Sequence, residues 1–249
     1  SLSAHIMVFD SGIGGTTVLE HIKQSIPNAQ YSYFMDNALL PYGAQSQQTI
    51  INRLCSLIHF IKANTLNVDL IVIACNTAST SALSAVRQIT DIPIVGVVPA
   101  IKPAAELTRS NHIGLLATPA TVASSYTKTL IAEHARNVIV NLYSSVELVT
   151  LAEECFFTGS LDTNKLYQVL DELHIDKTID VLVLGCTHFP ILAEPISQYF
   201  EGNVKLLDSG VAIANRVNFL LNQLNLCVDK QTDIKKPLQY YATADVFSN

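Results

Sequence analysis

One pattern occurs twice in this 249-residue chain and limits its fold more than any other feature: a short apolar run that leads into a cysteine. Residues 70–74 lead into Cys75, and residues 181–184 lead through one glycine into Cys186. Continuous apolar runs of this length are typical of strands that are buried on both faces of a parallel sheet. Each cysteine is therefore predicted to lie at the carboxyl end of a strand, where open α/β sheets bind their ligands.

Apolar runs and amphipathic segments alternate along the whole chain, which favours parallel sheets covered by helices. The alternation restarts at His112, and strand ends at Asp10 and Thr118 precede the two cysteines by nearly equal distances. This repeat indicates two similar α/β halves, each with a thiol at the ligand-binding edge of its sheet. The predicted strands are residues 5–9, 31–34, 70–74, 93–98, 112–117, 137–143, 181–184, 204–207 and 238–243. The predicted helices are residues 16–25, 46–63, 76–90, 100–109, 118–133, 146–155, 162–174, 191–199 and 209–224.

Composition excludes several classes of protein. Hydrophobic residues make up 49% of the chain, but they fall in runs of about one strand, far below the ~18 residues that span a bilayer. Residues 1–5 show no basic stretch followed by an apolar one, so we expect no secretory signal and a cytoplasmic protein. The net charge is −6 without a basic cluster, which argues against nucleic acid as the primary partner.

Five cysteines are spread widely along the chain, and no two have the Cys-x-x-Cys spacing of a zinc or redox motif. We therefore expect free thiols in a reducing compartment and no metal site. The cysteines are Cys55, Cys75, Cys155, Cys186 and Cys227.

Two thiols in matched positions suggest acid–base chemistry on a carbon. A lone cysteine at a strand end is usually a small buried hydrophobe, but here both are followed by hydroxyl or amide side chains. Inverting a stereocentre needs a base on one face and an acid on the other, and a thiol with a pKa near ~8.5 can serve as either. Asp10 and His188 are candidate helpers in proton transfer, and the neutral donors favour a small carboxylate substrate.

The glycine-rich segment that follows the first strand, residues 10–15, resembles a dinucleotide-binding turn only superficially, because its third glycine would fall at Thr17. It predicts a tight turn from strand to helix. It also allows a close backbone approach to a small ligand, with Asp10 and Ser11 facing that ligand.

Four segments together resemble the bacterial glutamate racemases. They are Phe-Asp-Ser-Gly-Ile-Gly-Gly at 9–15, Pro-Tyr-Gly at 41–43, Ala-Cys-Asn-Thr-Ala at 74–78 and Leu-Gly-Cys-Thr-His-Phe-Pro at 184–190. The resemblance implies an α/β fold of two pseudosymmetric domains, each a mostly parallel sheet flanked by helices, with the active site in the cleft between them. It places residues 1–97 and 208–249 in the first domain and residues 98–207 in the second.

The resemblance further implies a cofactor-independent enzyme that interconverts L- and D-glutamate and supplies D-glutamate for peptidoglycan. In that scheme Cys75 removes the α-proton of D-glutamate and Cys186 that of L-glutamate, with Asp10, His188 and Glu153 in support. A homodimer is also a family expectation. The implied substrate-binding residues are Asp10, Ser11, Pro41, Tyr42, Gly43, Asn76, Thr77, Thr118, Thr121, Thr187 and His188.

The chain departs from the family pattern in two places. Residues 145–150 lack the Cys-Pro and second proline that often precede the supporting acid, so Glu154 is an alternative to Glu153. Thr243-Ala244-Asp245 resembles the family's Thr-Gly-Asp with the glycine replaced.

Three alternatives remain open. The chain could be an aspartate or other amino-acid racemase of the same superfamily, although the aspartate relatives typically carry an acidic residue where His188 stands. It could be a binding protein of this fold, such as a gyrase inhibitor. A cysteine hydrolase that used His188 with a single nucleophile would leave the second thiol unexplained.

Overall fold

Nine strands and ten α-helices alternate through the residues that the computed structural model describes, 3–226 and 237–244. The strands are β1 (His5–Asp10), β2 (Gln30–Met35), β3 (Leu70–Ile73), β4 (Ile94–Gly96), β5 (His112–Ala117), β6 (Ile139–Ser144), β7 (Val181–Leu184), β8 (Lys205–Leu207) and β9 (Gln239–Ala242). The helices are α1 (Gly15–Ser25), α2 (Gln47–Ala63), α3 (Asn76–Arg87), α4 (Ile101–Leu107), α5 (Pro119–Ala123), α6 (Ser125–His134), α7 (Glu147–Thr158), α8 (Thr163–Leu173), α9 (Ala193–Tyr199) and α10 (Gly210–Gln223).

The strands form two sheets in which every paired neighbour is parallel. The first has the order β4-β3-β1-β2-β9 and the second the order β6-β5-β7-β8. If β9 is set aside, β4-β3-β1-β2 corresponds strand for strand to β8-β7-β5-β6. The predicted α/β fold class and its internal repeat are confirmed.

Each sheet is covered by helices on both faces. In β1, Ile6 and Val8 pack with residues of α1 and α10, whereas Met7 and Phe9 pack with residues of α2 and α3. Successive strand residues point to opposite faces, so a central strand must be apolar throughout if both faces are covered. The second sheet repeats the plan, with α7 and α8 on one face and α4 and α6 on the other.

The chain leaves the first sheet after β4 and returns to it after β8, with α10 packed against α1. The predicted domain division at residues 97/98 and 207/208 stays a prediction. None of the helices in the described part of the chain combines the length and apolar character needed to cross a membrane.

Two predicted helices are corrected by the structure. Residues 118–133 form two helices, because the backbone at Ser124 is extended (φ −65°, ψ 135°) and its Oγ accepts a hydrogen bond from the Tyr126 amide. The second is the helix predicted at 191–199, which begins at Ala193. The residues before it, Phe189–Leu192, form a 3₁₀ turn with Pro190 near its start. Two further 3₁₀ turns, Asn37–Leu39 and Tyr42–Ala44, lie in the segment between β2 and α2.

Candidate active site

Cys75 lies two residues beyond the end of β3 and caps the first turn of α3. Its Sγ accepts a hydrogen bond from the Ala78 amide at 3.4 Å and lies 3.9 Å from the Ser11 Oγ. The side chain is buried, and burial, reinforced by the negative charge of Asp10, raises the pKa of the Cys75 thiol. In the free protein Cys75 is therefore a thiol at neutral pH.

Cys186 occupies the matching position in the second sheet, just beyond β7. It is also buried, and its Sγ lies 3.9 Å from Nδ1 of His188. Because parallel strands present their carboxyl ends at one edge, both cysteines occupy the ligand-binding edges of their sheets, as the sequence predicts.

The two thiols line the same small cavity. The ten other residues that line this cavity come from both halves of the chain. They are Ser11, Pro41, Tyr42, Gly43, Asn76, Thr77, Thr118, Val149, Thr187 and His188. Among the eleven predicted substrate-binding residues, only Asp10 and Thr121 do not line it. Val149 was not predicted, because an apolar residue inside a helical pattern carries no functional signal.

A larger groove of about 1720 Å³ lies beside α3, β4 and α10. It contains neither thiol and none of the predicted site residues. Volume alone therefore does not locate the chemistry in this protein.

Asp10 is fully buried behind the cavity and joins the two halves. Its Oδ2 accepts hydrogen bonds from the amides of Gly12 (3.1 Å) and Gly15 (3.2 Å), and its Oδ1 accepts one from the Thr187 hydroxyl (3.0 Å). Burial raises the pKa of Asp10 above its ordinary value, although His188 and these hydrogen bonds partly oppose that rise. This carboxylate therefore bonds directly to the Cys186 loop, and its charge also acts on Cys75.

His188 is buried between Cys186 and Glu153. Its Nε2 lies 3.7 Å from Glu153 Oε2, which is an ion-pair distance and longer than a hydrogen bond. Burial alone would lower the pKa of His188, but Cys186, Glu153 and Asp10 together raise it to about 10. His188 is therefore a cation at neutral pH, and its ring lies beside the Cys186 sulfur.

Glu153 and its neighbour Glu154 differ completely in environment. Glu153 is buried on α7, beside His188, and its Oε2 accepts a hydrogen bond from the Ile13 amide at 3.4 Å. Glu154 is exposed. The structure thus places Glu153 at the site, and its role as the supporting acid remains a proposal.

Gly12 and Gly14 allow the loop after β1 to pack directly on His188. A Cβ at Gly12 would lie 2.5 Å from Glu153 Oε1 and 2.7 Å from His188 Nε2, and one at Gly14 would lie 2.6 Å from the His188 amide nitrogen. Real Cβ atoms do not approach this closely. The closest neighbours of these two glycines are therefore backbone and side-chain atoms of the other half of the chain, and the expected approach to a small ligand stays a prediction.

A cluster of threonines joins α3 to α5 at the edge of the cavity. The Thr77 and Thr118 hydroxyls are 2.6 Å apart, and Thr121 lies 3.4 Å from Thr77 and 3.3 Å from Thr118. Thr121 is fully buried and supports the other two from behind.

Asn76 brings an unpaired acceptor to the cavity. Its side-chain Oδ1 is buried and has no hydrogen-bond partner among the described residues. Buried polar atoms are nearly always paired, so an unpaired one in a cavity wall indicates where a ligand can donate a hydrogen bond.

The remaining cysteines lie elsewhere. Cys55 on α2 and Cys155 on α7 are half-buried free thiols outside the cavity, and Cys227 lies outside the described residues. No group of three metal-ligating side chains occurs within residues 3–226 and 237–244.

The chain was compared with known proteins. A model of the Asp/Glu/hydantoin racemase family matches residues 14–217. The glutamate racemase of Shewanella frigidimarina is 48% identical over 245 residues, which cover 98% of this chain and 91% of that protein.

Solved structures give the same result. Escherichia coli glutamate racemase, crystallised with L-glutamate and the activator UDP-MurNAc-Ala, has a TM-score of 0.88 at 38% identity and covers 97% of this chain and 90% of its own. Francisella tularensis glutamate racemase, crystallised with D-glutamate, has a TM-score of 0.79 at 31% identity, with 98% and 90% covered.

The chain therefore belongs to the Asp/Glu/hydantoin racemase family and is an isomerase. The three relatives named above are all glutamate racemases, which confirms the resemblance seen in the four sequence segments.

Proposed function

We propose that this enzyme interconverts L- and D-glutamate by a two-base mechanism in which Cys75 and Cys186 act on opposite faces of the α-carbon. The observation that carries the proposal is the pair of buried thiols, one from each sheet, in the wall of one cavity. The relatives crystallised with L-glutamate and with D-glutamate support the choice of substrate.

The proton transfers balance without an external reagent. With L-glutamate, the Cys186 thiolate removes the α-proton and the Cys75 thiol donates its proton to the opposite face, which gives D-glutamate. With D-glutamate, Cys75 is the base and Cys186 the acid. The chemistry needs no cofactor, because the two thiols supply both proton transfers.

The surroundings of the two thiols suit these roles. The cationic His188, paired with Glu153, lies beside Cys186, whereas Cys75 is a buried thiol with a proton to donate. A cation beside Cys186 and a protonated Cys75 suit the direction that starts from L-glutamate. In the reverse direction, the ammonium group of bound D-glutamate would offset the negative charge of Asp10 and stabilise a thiolate at Cys75.

The cavity wall offers neutral donors for the substrate carboxylates, namely the hydroxyls of Ser11 and Thr77 and the amides at the start of α3. Thr187, whose hydroxyl donates to Asp10, lines the same wall. The unpaired Oδ1 of Asn76 can accept a hydrogen bond from the substrate ammonium group. Asp10, Pro41, Tyr42, Gly43, Thr118, Thr121 and His188 are proposed to shape or support this binding site.

We place the reaction in the cytoplasm, where D-glutamate is supplied for peptidoglycan and hence for cell-wall biogenesis and cell shape. A homodimer is part of the proposal. Neither nucleic acid nor a membrane is proposed as the primary partner.

The test uses the variants Cys75→Ala and Cys186→Ala with each enantiomer in D₂O, followed by circular dichroism for racemisation and NMR for α-deuterium. Both variants should lose racemisation. Any residual α-exchange should be confined to L-glutamate in Cys75→Ala and to D-glutamate in Cys186→Ala, because each retains one base. Cys155→Ala, which removes a thiol outside the cavity, should behave as the wild type.

Racemisation by either single variant would contradict the mechanism. Wild-type activity on aspartate but not on glutamate would overturn the substrate and keep the mechanism. Inactivity on both amino acids would favour a binding protein of this fold.

A further inference from the structure

Asp36, which lies directly after β2, was not singled out in the sequence and is the centre of a buried hydrogen-bond network. Its Oδ2 accepts hydrogen bonds from the Tyr42 hydroxyl and from Arg53 Nε at 2.7 Å. Its Oδ1 accepts hydrogen bonds from Arg53 Nη2 at 2.6 Å and from Thr243 Oγ1 at 2.8 Å. Tyr42 lines the cavity, so the network reaches from the surface arginine to the substrate site.

The C-terminal segment enters this network through β9, which pairs in parallel with β2. Thr243 donates its amide to Met35 O at 3.1 Å and accepts a hydrogen bond from the Ala38 amide at its Oγ1, at 3.0 Å. The next residue, Ala244, exchanges two hydrogen bonds with the side chain of Asn37, at 2.8 and 3.2 Å. Residues 239–244 are thus attached to β2 and to the segment that leads into Pro41-Tyr42-Gly43.

The charge balance of the network makes it sensitive to each donor. Burial would raise the pKa of Asp36, but hydrogen bonds from Arg53, Tyr42 and Thr243 lower it below its ordinary value. Asp36 is therefore a carboxylate at neutral pH, and a buried carboxylate that loses one donor must rearrange its others or recruit water.

We propose that Thr243 is a positioning residue that acts through Asp36 and Ala38 to hold the Pro41-Tyr42-Gly43 loop in the orientation that binds substrate. The inference rests on the proposed function, since it assumes that this loop contacts glutamate. Thr243 itself does not line the cavity, and its exposure means that replacing it leaves both sheet cores intact.

The first test compares Thr243→Val, which removes the hydroxyl at nearly constant shape, with Thr243→Ser, which retains it. We expect Thr243→Val to raise KM for both enantiomers about three- to tenfold with kcat within about twofold, the pattern of lost substrate binding. Thr243→Ser should restore wild-type values. Thr129→Val is a matched control, because the Thr129 hydroxyl bonds only to its own helix, at Ser125 O.

The second test measures coupling. If Thr243 acts through Asp36 on Tyr42, adding Thr243→Val to Tyr42→Phe should raise KM less than about twofold further, because the hydroxyl that it orients is already gone. Equal fold-changes in the wild-type and Tyr42→Phe backgrounds would overturn the inference.

A third measurement does not depend on catalysis. The Ala44 and Gln45 amides bond to Pro41 O and Tyr42 O within the loop, and their hydrogen exchange should be faster in Thr243→Val than in Thr243→Ser. If wild type is inactive on glutamate, the proposed function fails. The exchange data still test whether Thr243 positions the loop. Unchanged exchange at both amides would overturn that role even in an active enzyme.

Discussion

At the scale of single residues, the site depends on unequal surroundings for two chemically identical side chains. Cys75 is buried near the carboxylate of Asp10, and Cys186 is beside the cationic His188. The proposed two-base mechanism needs one base and one acid at a time, and the two thiols differ in the charges that surround them.

The charge on His188 has a consequence for stability against pH. Its pKa is raised to about 10 in the folded protein from 6.5, so the protonated form contributes stability that is complete below pH 6.5 and lost as the pH rises through 10. We expect thermal unfolding temperatures of wild type and His188→Asn to converge over that range. A difference that grows with pH would contradict the assignment of a cationic histidine.

Glu153 should maintain that charge. Glu153→Gln removes the carboxylate 3.7 Å from His188 Nε2, so an NMR titration should show a lower imidazole pKa. The kcat/KM values for L- and D-glutamate should fall by the same factor, because the equilibrium constant of a racemisation is one. Glu154→Gln is the matched control, because Glu154 is exposed one position along the same helix. An equal effect of the two substitutions on the His188 pKa and on kcat/KM would contradict the role proposed for Glu153.

At the scale of elements, the loop after β1 shows what sequence could and could not predict. The strand, its end at Asp10 and the turn follow from local periodicity and glycine content. The packing of this loop on His188 does not, because the contact joins residues from opposite halves of the chain. The breaks at Ser124 and after Cys186 were missed for a related reason, since they depend on capping and a 3₁₀ turn within otherwise helical patterns.

The same loop supplies a prediction. Gly12→Ala would force a methyl group to within 2.5 Å of Glu153 and 2.7 Å of His188, which should cost about 1–3 kcal/mol of stability, as overpacking does. Because His188 must move, we expect kcat/KM to fall at least about tenfold. Denaturant unfolding and steady-state kinetics check the two effects, and unchanged kcat/KM would show that this close packing is not needed for catalysis.

At the scale of the whole molecule, two sheets of corresponding strand order each contribute one thiol to a shared cavity. The repeat was visible in the sequence because each half repeats a buried strand followed by a cysteine. The hydrogen-bond network of Asp36, Arg53 and Thr243 was not visible in the sequence, because these residues are distant in the chain and form no motif. The sequence also did not predict that Val149 lines the cavity. It could not distinguish Glu153 from Glu154, because the two differ in burial and not in residue type.

The central claim is that the two thiols act on opposite faces of one substrate, and the early time course of wild-type racemisation in D₂O tests it most directly. Starting from L-glutamate, the first D-glutamate formed should carry deuterium at the α-carbon while the remaining L-glutamate stays protiated, because the product receives its proton from the other, solvent-exchanged thiol. Repeating the experiment from D-glutamate should give the mirror result. Early product that retains protium, or equal labelling of substrate and product, would contradict the account.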